Sequence, residues 1–234
     1  MKINRLNWKE LDSWGLKEFI FLMLLEFVFV IGVIKLFVQP IYSRWFDNDL
    51  YAGTLIGITI AIILISGVYF IALRPKKLSW NEVGIKRFAA KDWKTIIVFT
   101  IIFMVGAVII MVLTSFLGNS WENSKTETMQ QNLTFFPILV AFVSAAIISP
   151  IYEEVFYRGF VYRWLRTRTG FMGAILISSL IFTIVHIPTY NAMPVNFFGG
   201  IIFALAYERT NSIWPAVIIH GLSNGIMVLL TITG

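Results

Sequence analysis

Cysteine is absent from this 234-residue chain, which excludes disulfides, thiolate catalysis and cysteine-rich zinc sites. Charge is scarce, at 14% of residues, and histidine occurs only twice, as His186 and His220. In their place stand 58% hydrophobic residues, with 21 Phe and 8 Trp. A soluble domain of this length does not need that much apolar surface, whereas a polytopic membrane protein does. The net charge of +6 does not point to nucleic acid, because Lys and Arg collect in short segments between apolar runs. Basic patches interleaved with aromatics on a polar surface are missing, so no nucleic-acid partner is expected; the lipid bilayer is.

The apolar runs give an all-α fold, a polytopic transmembrane helix bundle of about seven spans with a polar site inside it. The spans fall near Phe19–Val38, Thr54–Leu73, Thr95–Leu117, Ile138–Leu165, Phe171–Ile187, Asn196–Tyr207 and Ile213–Thr231. The sixth is short, as a tilted or sunken helix would be. The first run lacks a small-residue cleavage site and reads as an uncleaved membrane helix. It carries Glu26, expected to face the bundle interior, and Lys35, expected to snorkel at a helix end. Residues 1–130 read as N-terminal membrane helices plus a basic interfacial segment. Residues 131–234 read as the catalytic helices, the two packed as one membrane domain.

Basic residues alternate between rich and poor connections. Lys2, Arg5, Lys9 and Lys17 precede the first span, and seven more lie between Arg74 and Lys94. Three flank Arg163–Arg168, whereas the intervening loops carry Arg44 and Lys125 alone. This pattern places the N-terminus in the cytoplasm and the C-terminus outside a plasma membrane. Within the basic connection, Ser79-Trp80-Asn81-Glu82 fits a capping box, so a short interfacial helix is expected there. The polar stretch Gly118–Thr134 reads as an external loop.

An ionisable group at membrane depth costs roughly 2.5–3.5 kcal/mol on insertion scales, so it usually marks a site. The fourth span contains Glu153, Glu154 and Arg158. Glu154 and Arg158 are four apart with the acid first, the favourable order for a helical ion pair. Glu153 points roughly 100° away, which leaves it as the chemically available carboxylate. Pro150, one turn earlier, loosens the helix and frees backbone carbonyls beside the site. Phe182 and His186 share a face near the end of the fifth span, and His220 and Asn224 share one on the seventh. With ~1.5 Å of rise per residue the four polar groups reach similar depths, which predicts a single polar cavity nearer the cytosolic half.

A carboxylate and a histidine converging on one water form a general base able to attack a carbonyl. A second histidine and an asparagine amide can donate to the developing oxyanion. Glu153 and His186 fit the first role, His220 and Asn224 the second. The alternative is zinc, held by Glu153, His186 and His220 with one position open. The soluble His-Glu-x-x-His motif is absent and asparagine is a poor zinc ligand, so no cofactor is the favoured reading.

Glu-Glu-x-x-x-Arg at 153–158, Phe-x-x-x-His at 182–186 and His-x-x-x-Asn at 220–224 lie in this order on successive helices. Together with the lead-in Asn211-Ser212-Ile213-Trp214-Pro215-Ala216, they resemble the CPBP intramembrane proteases, from about Phe136 to Leu230. That family holds CAAX-processing endopeptidases resembling the Ras-converting enzyme, and Abi-type proteins linked to bacteriocin processing and self-immunity. The resemblance implies an endopeptidase acting on a membrane-associated peptide or protein, with its site opening toward the cytosol. It also implies Glu153 and His186 as water activators, His220 and Asn224 as the oxyanion hole, and supporting roles for Glu154, Arg158 and Phe182. The chain length fits the bacterial branch, where a peptide pheromone, bacteriocin or membrane protein is a more fitting substrate than a prenylated CAAX protein. Two further readings are a non-catalytic immunity or scaffold protein and, ranked below it, a proton-coupled transporter.

Overall fold

Gly170 divides the longest helical run of the molecule, its φ of 75° and ψ of −172° turning the chain back on itself. Glycine is suited to that left-handed φ because it carries no Cβ. The computed structural model describes residues 12–46, 48–118, 127 and 134–233. Helix α1 spans Leu16–Trp45, α2 Asp49–Lys76 and α3 Ala90–Ser115. Helix α4 runs from 135 to 169 and α5 from 171 to 184, on either side of Gly170. Helices α6, Met193–Thr210, and α7, Ile213–Thr233, complete the bundle. No strand occurs among the described residues. Lys2, Arg5, Lys9, Lys125 and most of the expected 118–134 loop lie outside them.

Among the described residues, five stretches are long and apolar enough to cross a membrane: α1, α2, α3, the Phe135–Ile184 run that contains α4 and α5, and the part of α7 from Ile213 to Ile232. Helix α6 is not among them. Apolar residues also line the outside of the bundle. On α3, Ile97, Ile101, Val105, Ile109 and Val112 are exposed at helical spacing, while Ile96, Phe99, Phe103 and Ala107 face inward. Both faces are apolar, as a helix packed between protein and lipid requires.

The interior is largely aromatic, with Phe156, Phe160, Tyr162, Phe182, Phe203 and Tyr207 fully enclosed. Helix α6 packs against α3, α5, α7 and the site segment of α4; α7 also packs against α3 and α4, and α2 against α1 and α4. At one end the basic connections are pinned by ion pairs. Arg163 holds Glu82, Arg166 meets Glu208 at 2.9 Å and Arg168 meets Asp12 at 2.9 Å. The Ile213 N–H donates to the Gly84 carbonyl (3.0 Å), and Ser212 Oγ to that of Lys86 (2.7 Å).

Two local expectations are corrected here. The segment after Ser79 forms one 3₁₀ turn, Trp80–Val83, and the Ser79 side chain makes no cap. Glu82, the acid that would complete the capping box, is engaged by Arg163 and Ser13 instead, and Gly84 at φ 81° ends the turn. Lys35 does not snorkel away from the bundle: its Nζ donates to the Val185 carbonyl at 2.7 Å, just past the end of α5. A carbonyl left without an intrahelical N–H attracts a cation.

Candidate active site

Glu154 and Arg158 form the expected i,i+4 pair, with Arg158 Nη1 3.1 Å from Glu154 Oε1 and both side chains enclosed. The pair persists although α4 winds in the wider π pattern over Glu154–Tyr162. Arg158 lies over the rings of Phe182 and Phe203, at 4.4 and 5.2 Å, and donates through Nη2 to the Gly200 carbonyl. Cation–π contact and a carbonyl acceptor thus supplement one carboxylate in holding a buried guanidinium.

Glu154 Oε1 accepts a second hydrogen bond, from His220 Nδ1 at 3.0 Å. The same imidazole stacks on Phe203, with centroids 4.5 Å apart and planes 16° apart. A ring held on one face and at Nδ1 has one orientation. Its Nε2 points toward Glu153, 3.8 Å from Oε2 and beyond direct hydrogen-bond length. Glu154 therefore aims His220, and His220 faces Glu153.

His186 follows α5 in a turn, and its Nδ1–H donates to the Phe182 carbonyl at 2.6 Å. The neutral ring then carries its lone pair on Nε2. The Phe182 ring stands edge-on to both imidazoles, 4.8 Å from His186 and 5.9 Å from His220. Phe182 is thus the spacer between the two histidines.

Asn224 reaches back to α4, where its Nδ2 donates to the Ala145 carbonyl at 3.0 Å. Pro150 explains why that acceptor is open. Over Ser144–Ile148 α4 is π-wound, and proline has no N–H to return to the carbonyl five residues earlier. Gly221 lets α7 come close enough, since a Cβ there would stand 2.4 Å from the Ala146 oxygen.

The single cavity expected from helix depths is two cavities. One, of ≈ 540 Å³, is polar and is lined by Glu153, His186, Ser149, Tyr157, Glu26 and Lys35 among others. The other, of ≈ 250 Å³, is largely apolar and reaches His220 and Asn224, with Phe103, Met104, Met111 and Met227 around them. The Glu153–His220 approach joins the two pairs. Residue depth is legible in a sequence, but the lateral packing of Phe182 and of the Glu154–His220 contact is not.

Helix α1 adds residues given no site role at the outset. Glu26 is 3% exposed and accepts from Tyr157 Oη at 3.0 Å, while its Oε2 has no hydrogen-bond partner among the described residues. Its signal was an acid within an apolar run. Among the described residues no three His, Asp or Glu side chains gather into a metal-holding group. His220 Nδ1 is committed to Glu154 and His186 Nδ1 to a carbonyl, so any further contact of either ring runs through Nε2.

Residues 135–226, which include every motif of this site, match the family described as type II CAAX prenyl endopeptidase Rce1-like. Over this segment the chain is similar to the CPBP family. The membrane-embedded CAAX protease MroQ of Staphylococcus aureus (strain USA300) is 33% identical over 137 residues, covering 56% of this chain and 54% of that protein. YdiL of Bacillus subtilis (strain 168), which carries the provisional name of a membrane peptidase, is 31% identical over 118 residues (48% and 45%). The UPF0177 protein YaiH of Lactococcus lactis subsp. lactis (strain IL1403) is 26% identical over 147 residues (57% and 61%). The chain thus spans about half the length of the first curated relatives it matches. No solved structure gives a significant match. The matched segment begins at α4, so Glu26 and Lys35 lie outside it.

Proposed function

We propose that this protein is an intramembrane endopeptidase that hydrolyses a peptide bond of a membrane-associated peptide or protein without a metal. Glu153 takes a proton from a water that the lone pair of His186 Nε2 orients, and the hydroxide attacks the scissile carbonyl. The C–N bond then breaks, and the proton passes from Glu153 to the leaving amine.

The oxyanion faces His220 and Asn224. Because Nδ1–H of His220 is given to Glu154, the ring offers a second N–H only as the imidazolium. Glu154 and Arg158 hold the donor in place and do not touch the reacting atoms. Asn224 gives one N–H to Ala145 and keeps the other for the oxyanion.

The observation that carries this reading is the Glu154–His220–Glu153 alignment, at 3.0 and 3.8 Å, beside a cavity shared by Glu153 and His186. The test compares membrane-associated peptides from cells carrying wild-type and Glu153→Ala protein. At least one cleaved species is expected to vanish in the variant. Identical peptide profiles in the two strains would refute hydrolysis at this site.

A further inference from the structure

Both cavities open at the same end of the bundle, opposite the basic connections. The polar one begins deep, at Glu26 and Glu153, which are 3% and 8% exposed. It ends among Gln39 and Ser43 near the close of α1, Asp49 at the start of α2, and Thr189 after α5. Gln39, Ser43 and Asp49 are exposed. The apolar cavity reaches Thr114 at the close of α3, Asn191 before α6 and Thr231 near the close of α7. Neither cavity is lined by a residue from 74–94, 163–170 or 205–213.

Those unlined segments hold most of the basic residues; the Arg163–Glu82 and Arg166–Glu208 pairs join them to one another, and Lys76–Glu18 joins them to the start of α1. Arg44 is the one Lys or Arg among the described residues at the other end outside the bundle. Lys35 and His186 agree with this polarity. They lie about 28 Å and 24 Å along their helices from the basic end, counting from Leu16 and Gly170 at 1.5 Å per residue. A membrane protein keeps its Lys- and Arg-rich ends in the cytoplasm.

We propose that the two cavities open on the extracytoplasmic side of the membrane, so that the site meets peptide segments that have already crossed or that emerge on the outer face. This reverses the cytosolic opening implied by family resemblance. Water enters through the polar cavity beside Glu153 and His186. An apolar substrate side chain enters the second cavity beside His220. The choice of substrate rests on the protease reading; the direction of opening does not.

The absence of cysteine makes the test direct, because single-cysteine variants need no background removal. Ser43→Cys marks the mouth, Ser149→Cys the deep wall and Lys91→Cys the basic face. Each is treated in intact bacterial cells with a membrane-impermeant quaternary-ammonium methanethiosulfonate, then again after permeabilisation. Denatured protein reports total thiol. Ser43→Cys and Ser149→Cys are expected to react in intact cells, and Lys91→Cys only after permeabilisation. Reaction of Lys91→Cys in intact cells, or of either cavity variant only after permeabilisation, overturns the proposal. So does a Ser149→Cys thiol that reacts only when denatured, since the cavity would then be closed. Labelling needs no catalysis: a Glu153→Gln background that abolishes cleavage leaves it unchanged, so the two readings fail separately.

Discussion

His220 Nδ1 stands 3.0 Å from Glu154 Oε1, and that one contact turns two adjacent glutamates into residues of different kind. Glu154, fully enclosed, is committed to Arg158 and His220, whereas Glu153 reaches a cavity. Exchanging either acid for a neutral side chain therefore has a distinct signature.

Glu154→Ala leaves a buried guanidinium without its carboxylate. A loss of about 3–5 kcal/mol in stability is expected, together with loss of activity. Glu153→Gln keeps the shape and leaves the Glu154–Arg158 pair intact, so its melting temperature in detergent is expected nearer that of the wild type. Equal destabilisation by the two substitutions, read by thermal melting, would contradict the division of roles.

Gly221→Ala pushes α7 away from α4, because its Cβ would stand 2.4 Å from the Ala146 oxygen. The backbone shift costs about 1–3 kcal/mol and carries Asn224 off Ala145. Reduced melting temperature with at least a partial loss of cleavage is expected. A variant as stable and active as wild type would show that the helices do not approach so closely at Pro150.

Tyr157→Phe removes the donor to Glu26 and strands a buried carboxylate, at a cost of about 1–3 kcal/mol. Adding Glu26→Leu removes the stranded group and is expected to recover part of that loss. A double-mutant cycle on thermal stability measures the coupling; strict additivity would mean that the contact contributes nothing.

Chelation is expected to leave cleavage unchanged. Purified protein dialysed against a strong zinc chelator and assayed beside an untreated sample reads this directly. Activity lost on dialysis and restored by zinc would show that a metal, and not Glu153 with His186, activates the water.

The local relationships were legible in the sequence because a helix fixes them. Glu154 and Arg158 pair at four residues' spacing, and the ordered run of Glu153, His186, His220 and Asn224 marked the candidate site. What helical periodicity does not encode is which neighbour a side chain meets across the bundle. His220 turns to Glu154, Asn224 finds the carbonyl left open by Pro150, and Lys35 reaches Val185. The capping box at Ser79 failed for the same reason, since its acid found Arg163 from a distant helix. Glu26 and Lys35 were visible as charges in an apolar run, yet their neighbours were not.

The turnover of the Glu153→Gln enzyme tests the catalytic assignment most directly. On a peptide that the wild type cleaves, with melting temperature and His220 environment preserved, kcat is expected to fall by about 10²–10⁴-fold. A kcat within about twofold of wild type would show that this carboxylate does not handle the proton of the attacking water.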